Sequence, residues 1–205
     1  MNFLHELLKM PWLEESGTVV ELQASGAFAL PTATLALRVV LAVVTVLFSL
    51  LVVAYADRLT AGDWRPLPEP WVLWLNTVAL VLGSVGLQRS LTAANRGRLD
   101  GVKIGLLAGG GFAIVFLAGQ LVAWQQRVAL GYYAATNPAN AFFFVMTALH
   151  GLHLFGGLVA LGRTADKVLR GFDVDQVRLS VELCAVYWHF LLAVWLILFG
   201  LMLFT

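Results

Sequence analysis

Val181-Glu182-Leu-Cys184-Ala-Val-Tyr187-Trp188-His189-Phe-Leu-Leu192-Ala-Val-Trp195-Leu-Ile-Leu-Phe199-Gly-Leu-Met-Leu-Phe204 is the stretch on which the fold turns. Apart from Glu182 and His189 it carries no acid, base or amide, and about 20 such residues of helix cross a bilayer. Four further stretches of the same character lie at roughly 38–56, 70–88, 103–125 and 140–162. With 181–204 they predict an all-α integral membrane protein, a bundle of five transmembrane helices joined by short connections. Composition agrees. The chain of 205 residues is 60% hydrophobic and 12% charged, with a mean hydropathy of +0.84. Soluble domains run near 45–50% apolar and about 25% charged. A net charge of +1 leaves no basic footprint for nucleic acid, and the lone Cys184 excludes a disulfide framework or a paired-thiol metal site. A soluble enzyme, a nucleic-acid binder and a secreted scaffold are all excluded.

Working outward, residues 1–34 read as an N-terminal arm and 35–205 as the membrane domain. In the arm, Phe3, Leu4, Leu7 and Leu8 recur at helical spacing, which suits a surface helix or a partner-bound arm equally. Glu6, Glu14, Glu15 and Glu21 interrupt any apolar core, so the arm does not read as a signal peptide. Of the 13 Lys and Arg residues, Lys9, Arg38, Arg89, Arg96, Arg98, Lys103, Arg163, Lys167, Arg170 and Arg178 share one side of a five-span topology. Arg58, Arg65 and Arg127 take the other, so the N-terminus is expected in the cytoplasm and the C-terminus in the periplasm. Loop 57–70 then faces outward, stiffened by Pro66, Pro68 and Pro70, with Trp64, Trp71 and Trp74 at headgroup level. In the third span Gly101, Gly105, Gly109 and Ala113 recur every four residues, a smooth strip for another helix.

Ionisable groups inside a membrane are costly and therefore the first functional candidates. They are His150 and His153 in the fourth span and Glu182 and His189 in the fifth. His150 and His189 fall at similar mid-membrane depth, where they are able to face each other. Glu182 and His189, two turns apart, share a helix face about 10 Å apart along the axis. Three readings compete. A bis-histidine haem needs His150 and His189 opposed, with room supplied by Gly151, Gly156 and Gly157. A carboxylate-bridged metal needs more acids than Glu182. A structural or lipid-binding network needs only hydrogen bonds among His150, His153, Glu182, Tyr187, Trp188 and His189. Arg163, Lys167 and Arg178, at the inward end of the bundle, are candidate contacts for a phospholipid headgroup.

Two of these segments carry a resemblance. Phe144-Val-Met-Thr-Ala-Leu-His150-Gly-Leu-His153-Leu-Phe-Gly-Gly resembles the HGLHxxxG helix of subunit III of the haem-copper respiratory oxidases. Glu182-Leu-Cys-Ala-Val-Tyr187-Trp-His189-Phe-Leu-Leu-Ala-Val-Trp195-Leu-Ile-Leu-Phe199 resembles that family's last helix. Asp63-Trp-Arg-Pro-Leu-Pro followed by Leu73-Trp-Leu-Asn76-Thr is similar to the segment joining the first two helices of shorter bacterial members. The resemblance covers about residues 35–204, and five spans match bacterial versions that lack the first two helices of the seven-helix form. It departs in two places. A carboxylate frequent in the family's corresponding first span would fall near Val44, and an Asp often found three residues after the last-helix histidine is Leu192.

The resemblance implies an accessory subunit, in a bacterial plasma membrane, of an enzyme that reduces oxygen and moves protons outward. Haems and copper would sit in partner subunits I and II, with none bound by this chain. Subunit I would be the direct neighbour, with small subunits or a respiratory supercomplex as further partners. Phospholipid would fill clefts between its helices, and the chain would support sustained proton uptake. Leu192 and the Asp63–Pro68 loop incline the reading to a cytochrome c oxidase. A quinol oxidase subunit III, a nitric oxide reductase-associated homologue and, from another class, a free-standing haem-binding membrane protein are the alternatives.

Overall fold

The structure, a computed structural model, describes residues 32–60, 71–135 and 137–204. Most of the arm, residues 1–31 with Phe3, Leu4, Leu7 and Leu8, lies outside the described residues, as does loop 61–70 with Trp64. Five helices follow one another: α1 Thr32–Leu59, α2 Val72–Asn95, α3 Leu99–Ala129, α4 Pro138–Leu169 and α5 Val174–Leu203. Each is long and apolar enough to cross a membrane. Leu35 closes one unit of the chain and Ala36–Thr205 make up the other, which holds every contact described below.

The helices outrun the apolar stretches by up to about seven residues because their ends carry charge through the headgroup zone. Local chemistry sets those ends. Asn137 accepts a hydrogen bond from the Ala139 amide at 3.2 Å, and Pro138 begins α4 where no amide proton is needed. Asp173 and Gln176 cap α5 reciprocally, which starts that helix at 174 rather than at the apolar residue 181. Gly97, Gly131 and Gly171 take positive φ angles of 67°, 83° and 84° in the connections after α2, α3 and α4, a region closed to most side chains.

Four helices form a closed ring: α2 packs on α3, α3 on α4, α4 on α5, and α5 back on α2. Trp188, Trp195, Phe116, Leu73, Leu87, Leu106, Leu154 and Leu191 fill its interior. The tightest seam is α2 on α3, and it is the one that the glycine strip makes. A Cβ added to Gly105 would stand 2.5 Å from the Ser90 Cβ and 2.7 Å from the Gly86 carbonyl oxygen. At Gly101 the obstacle is the Ala93 Cβ at 2.6 Å, and at Gly109 the Leu87 Cγ at 2.7 Å. The strip's partner therefore belongs to this chain. Ser90 secures the seam by donating to the Val102 carbonyl at 3.1 Å.

Helix α1 stands apart from the ring. Only 17% of its most apolar window is buried, against 33–50% for the others. Val44, Phe48 and Tyr55 are its three buried side chains, and they rest on Met146 of α4 and on Val194 and Leu198 of α5.

Replacing Gly105 or Gly109 with leucine is expected to cost about 1–3 kcal/mol through overpacking. Gly111 shares the helix, but a Cβ added there would meet nothing within 4 Å, so Gly111→Leu should be neutral. Thermal unfolding in detergent checks both expectations, and equal midpoints for Gly105→Leu and Gly111→Leu would contradict the seam.

Candidate functional site

Helices α4 and α5 bring most of the sequence-predicted residues to one region, yet they do not form one network. Tyr187 donates its hydroxyl proton to the His153 carbonyl at 3.0 Å, a direct bond between the two helices. The ring Nδ1 of His153 donates to the Leu149 carbonyl at 2.7 Å, one turn back on its own helix. His189 does the same to the Ala185 carbonyl. A carbonyl only accepts, so each Nδ1 carries the proton and each Nε2 of a neutral ring is left as an acceptor.

His150 and His189 are not opposed, which removes the geometry that a bis-histidine haem requires. The His150 ring is fully buried and enclosed by Trp195 at 5.3 Å, Phe116 at 5.6 Å and Phe48 at 6.4 Å between centroids. No hydrogen bond among the described residues reaches either of its nitrogens. His189 and Glu182 instead lie on the exposed outer face of α5. The two helices are rotated so that Trp188 and Trp195, not His189, point into the ring. Among the described residues, no group of three or more His, Cys, Asp or Glu side chains comes together.

A cleft of about 500 Å³ opens between α4, α5 and the N-terminal half of α1. Gly156, Gly157 and Ala160 make its floor shallow, Tyr187 and Cys184 form one wall, and Leu37 and Val40 of α1 form the other. Arg163 and Lys167 stand at its end nearest the α4–α5 connection, one turn apart. Arg178, the third headgroup candidate, is exposed on α5 but does not line the cleft. Gly157 is tight, since an added Cβ would lie 2.7 Å from the Tyr187 ring. A second cleft of about 360 Å³ lies between α1 and α5, lined by Phe48, Val52, Phe190, Ala193, Val194 and Ile197. The first cleft thus has two cations at one end, and the second is lined mainly by apolar side chains.

Several interior polar groups escape a reading of the sequence because they are uncharged or fall at the end of a span. The Trp195 indole donates to the Thr77 hydroxyl at 2.9 Å, and Thr77 donates onward to the Leu73 carbonyl at 2.9 Å. Trp124 repeats the relay, donating to Thr147 at 3.0 Å, which donates to the Phe143 carbonyl at 2.6 Å. Asn76 and Gln120 are buried, and the Asn76 amide fills the space beside Gly119, so a side chain there would make it shift. Arg127, counted from the sequence just past the third span, is 3% exposed and lies 3.9 Å over the Phe143 ring, a cation–π contact. The Trp-Leu-Asn76-Thr77 segment was the available signal. Val44 and Leu192, where the family's acids are missing, sit in apolar packing against α4–α5 and the ring core.

Comparison with known proteins bears on this arrangement. The family model for cytochrome c oxidase subunit III matches residues 63–205. Cytochrome c oxidase subunit 3 of Thermostichus vulcanus is 32% identical over 135 residues, covering 65% of this chain and 66% of the relative, slightly under two thirds of its length. The probable cytochrome c oxidase subunit 3 of Nocardia farcinica is 33% identical over 165 residues, covering 75% of this chain and 76% of its own. Cytochrome bo(3) ubiquinol oxidase subunit 3 of Buchnera aphidicola is 24% identical over 125 residues, with 61% of each chain covered.

The threonine relays predict a stability effect. Thr77→Val strands the Trp195 indole proton inside the ring and should cost about 1–3 kcal/mol. Adding Trp195→Phe should recover part of that loss, because the stranded donor is then gone. A double-mutant cycle on thermal unfolding measures the coupling, and strictly additive effects would show that the bond contributes nothing.

Proposed function

Because the chain belongs to the cytochrome c oxidase subunit III family, we propose that it is the accessory subunit of a proton-moving bacterial oxidase. In this reading it packs on subunit I, holds phospholipid along its clefts and sustains proton delivery. The haems and copper of the reaction reside in the partner subunits, and cytochrome c is the electron donor. The observation that carries the reading is the cleft itself, with Arg163 and Lys167 at one end and a second, apolar cleft between α1 and α5.

Charge supports the proposed orientation. Arg96 and Arg98 flank the turn between α2 and α3, and Arg170 lies beside the turn between α4 and α5, all at one end of the bundle. Arg58 and Arg127 mark the opposite end, so the crowded end faces the cytoplasm of an inner membrane. That end mixes signs. Asp166 pairs with Arg170 at 2.8 Å, Asp173 caps α5, and Asp175 stays exposed beside them. A mixed surface beside the oxidase's proton entrance would order water and hold protons there. When proton delivery slows, reactive oxygen intermediates persist at the metal centre and damage accumulates with each turnover.

Two outcomes are expected. Oxidase stripped of this chain should begin at normal activity and then lose it with turnover number, faster at alkaline than at neutral pH; equal lifetimes in both preparations at both pH values would leave only an assembly role. Arg163→Ala combined with Lys167→Ala should release phospholipid from the complex, read as reduced lipid adducts in native mass spectrometry. Unchanged lipid retention would place the lipid elsewhere.

A further inference from the structure

Helix α5 carries Arg178, Glu182 and His189 on the face turned away from the ring. Arg178, Glu182, Val186, His189, Ala193 and Leu196 succeed one another at intervals of three or four residues, and all six are exposed, with Ala193 also on the edge of the cleft between α1 and α5. The helix is 30 residues long, which makes about 45 Å, while the hydrocarbon layer is about 30 Å thick. His189 is therefore near the middle of the layer and Glu182 close to its inward boundary. Arg178, one turn further in, reaches the headgroups. Among the described residues no hydrogen bond or ion pair engages the Glu182 carboxylate or the His189 Nε2.

We infer that this stripe is the surface through which the chain docks on the oxidase, against a transmembrane helix of a partner subunit that presents two hydrogen-bond donors. The inference rests on the proposed subunit role and names the face and the chemistry that meets it. Acyl chains offer His189 nothing at mid-membrane depth, and a side chain so short does not reach the interface from there. A second copy of this chain fits no better. A twofold axis along the membrane normal would set Glu182 against Glu182 and His189 against His189, acid on acid and acceptor on acceptor. What the stripe asks of its partner follows from its own hydrogen bonding. The His189 Nδ1 proton is committed to the Ala185 carbonyl, so Nε2 of a neutral ring accepts, as does Glu182 in its carboxylate form. The partner helix must donate twice, at sites about 10 Å apart along the axis. Small and β-branched Ala193 and Val186 between and beyond the polar pair let that helix approach closely.

The test uses the intact oxidase in its own membrane. A photoreactive amino acid is placed at Val186 on the stripe, at Leu107 on the outer face of α3, or at Leu152 on the outer face of α4, both of which are exposed. Val186 should cross-link to another oxidase subunit, while Leu107 and Leu152 should label lipid. His189→Leu, which suits lipid and leaves the helix able to insert, should reduce recovery of the chain with purified oxidase about tenfold, equivalent to about 1.4 kcal/mol. His189→Gln keeps an acceptor and should recover most of the association, with membrane abundance of each variant confirming insertion. Cross-linking of Val186 to lipid or to a second copy overturns the inference. Capture of the oxidase from Leu107 or Leu152 alone overturns it too, while the subunit role stands. Failure of the unmodified chain to copurify with any oxidase subunit overturns the subunit role and the stripe together.

Discussion

At Gly86, Gly105 and Gly109 the backbones of α2 and α3 meet with almost no side chain between them, and the rest of the bundle is built out from that seam. In hydrocarbon, apolar helices gain little from burying apolar surface against one another, so contact depends on close fit and on hydrogen bonds. The seam supplies both, through the glycines and through Ser90 donating to the Val102 carbonyl. With α2 and α3 fixed, α5 lies on one and α4 on the other, and closure between α4 and α5 completes the ring. Tyr187, bonded to the His153 carbonyl, ties that last joint.

Inside this ring polar groups are treated in two distinct ways. Trp195 and Trp124 each hand a proton to a threonine, which passes its own to a carbonyl one turn back, so an indole is accommodated without water. His150 instead sits among three aromatic rings, its nitrogens facing hydrocarbon-like surroundings. Outside the ring, on α5, Glu182 and His189 remain exposed. The same helix thus turns its indoles inward and its acid and imidazole outward, a division that serves a chain whose neighbours lie beside it in the membrane.

The number and order of spans were legible in the sequence because unbroken apolar stretches have few other uses. Their ends were less so. Hydropathy marks where charge begins, whereas the Asp173–Gln176 capping box and the glycines at 97, 131 and 171 mark where helical backbone stops. The site was legible in part. Depth along a helix follows from counting, so the four ionisable residues fall at sensible heights. Rotation about the helix axis is decided by neighbours, and there the opposition of His150 and His189 fails, since Trp188 and Trp195 compete for the same interior. Asn76, Gln120 and the threonine relays carry no charge to flag them, and Arg127 reads as a loop residue because basic residues usually end a span.

The thin attachment of α1 has a mechanical consequence. With only Val44, Phe48 and Tyr55 fully buried, this helix is a compliant spar, and the clefts beneath it have one stiff wall and one yielding wall. Whatever molecules fill those clefts set the spacing of α1 from the ring, so they behave as structural parts rather than as cargo. In the lipid-filled state proposed above, acyl-chain length becomes an input to the protein's shape.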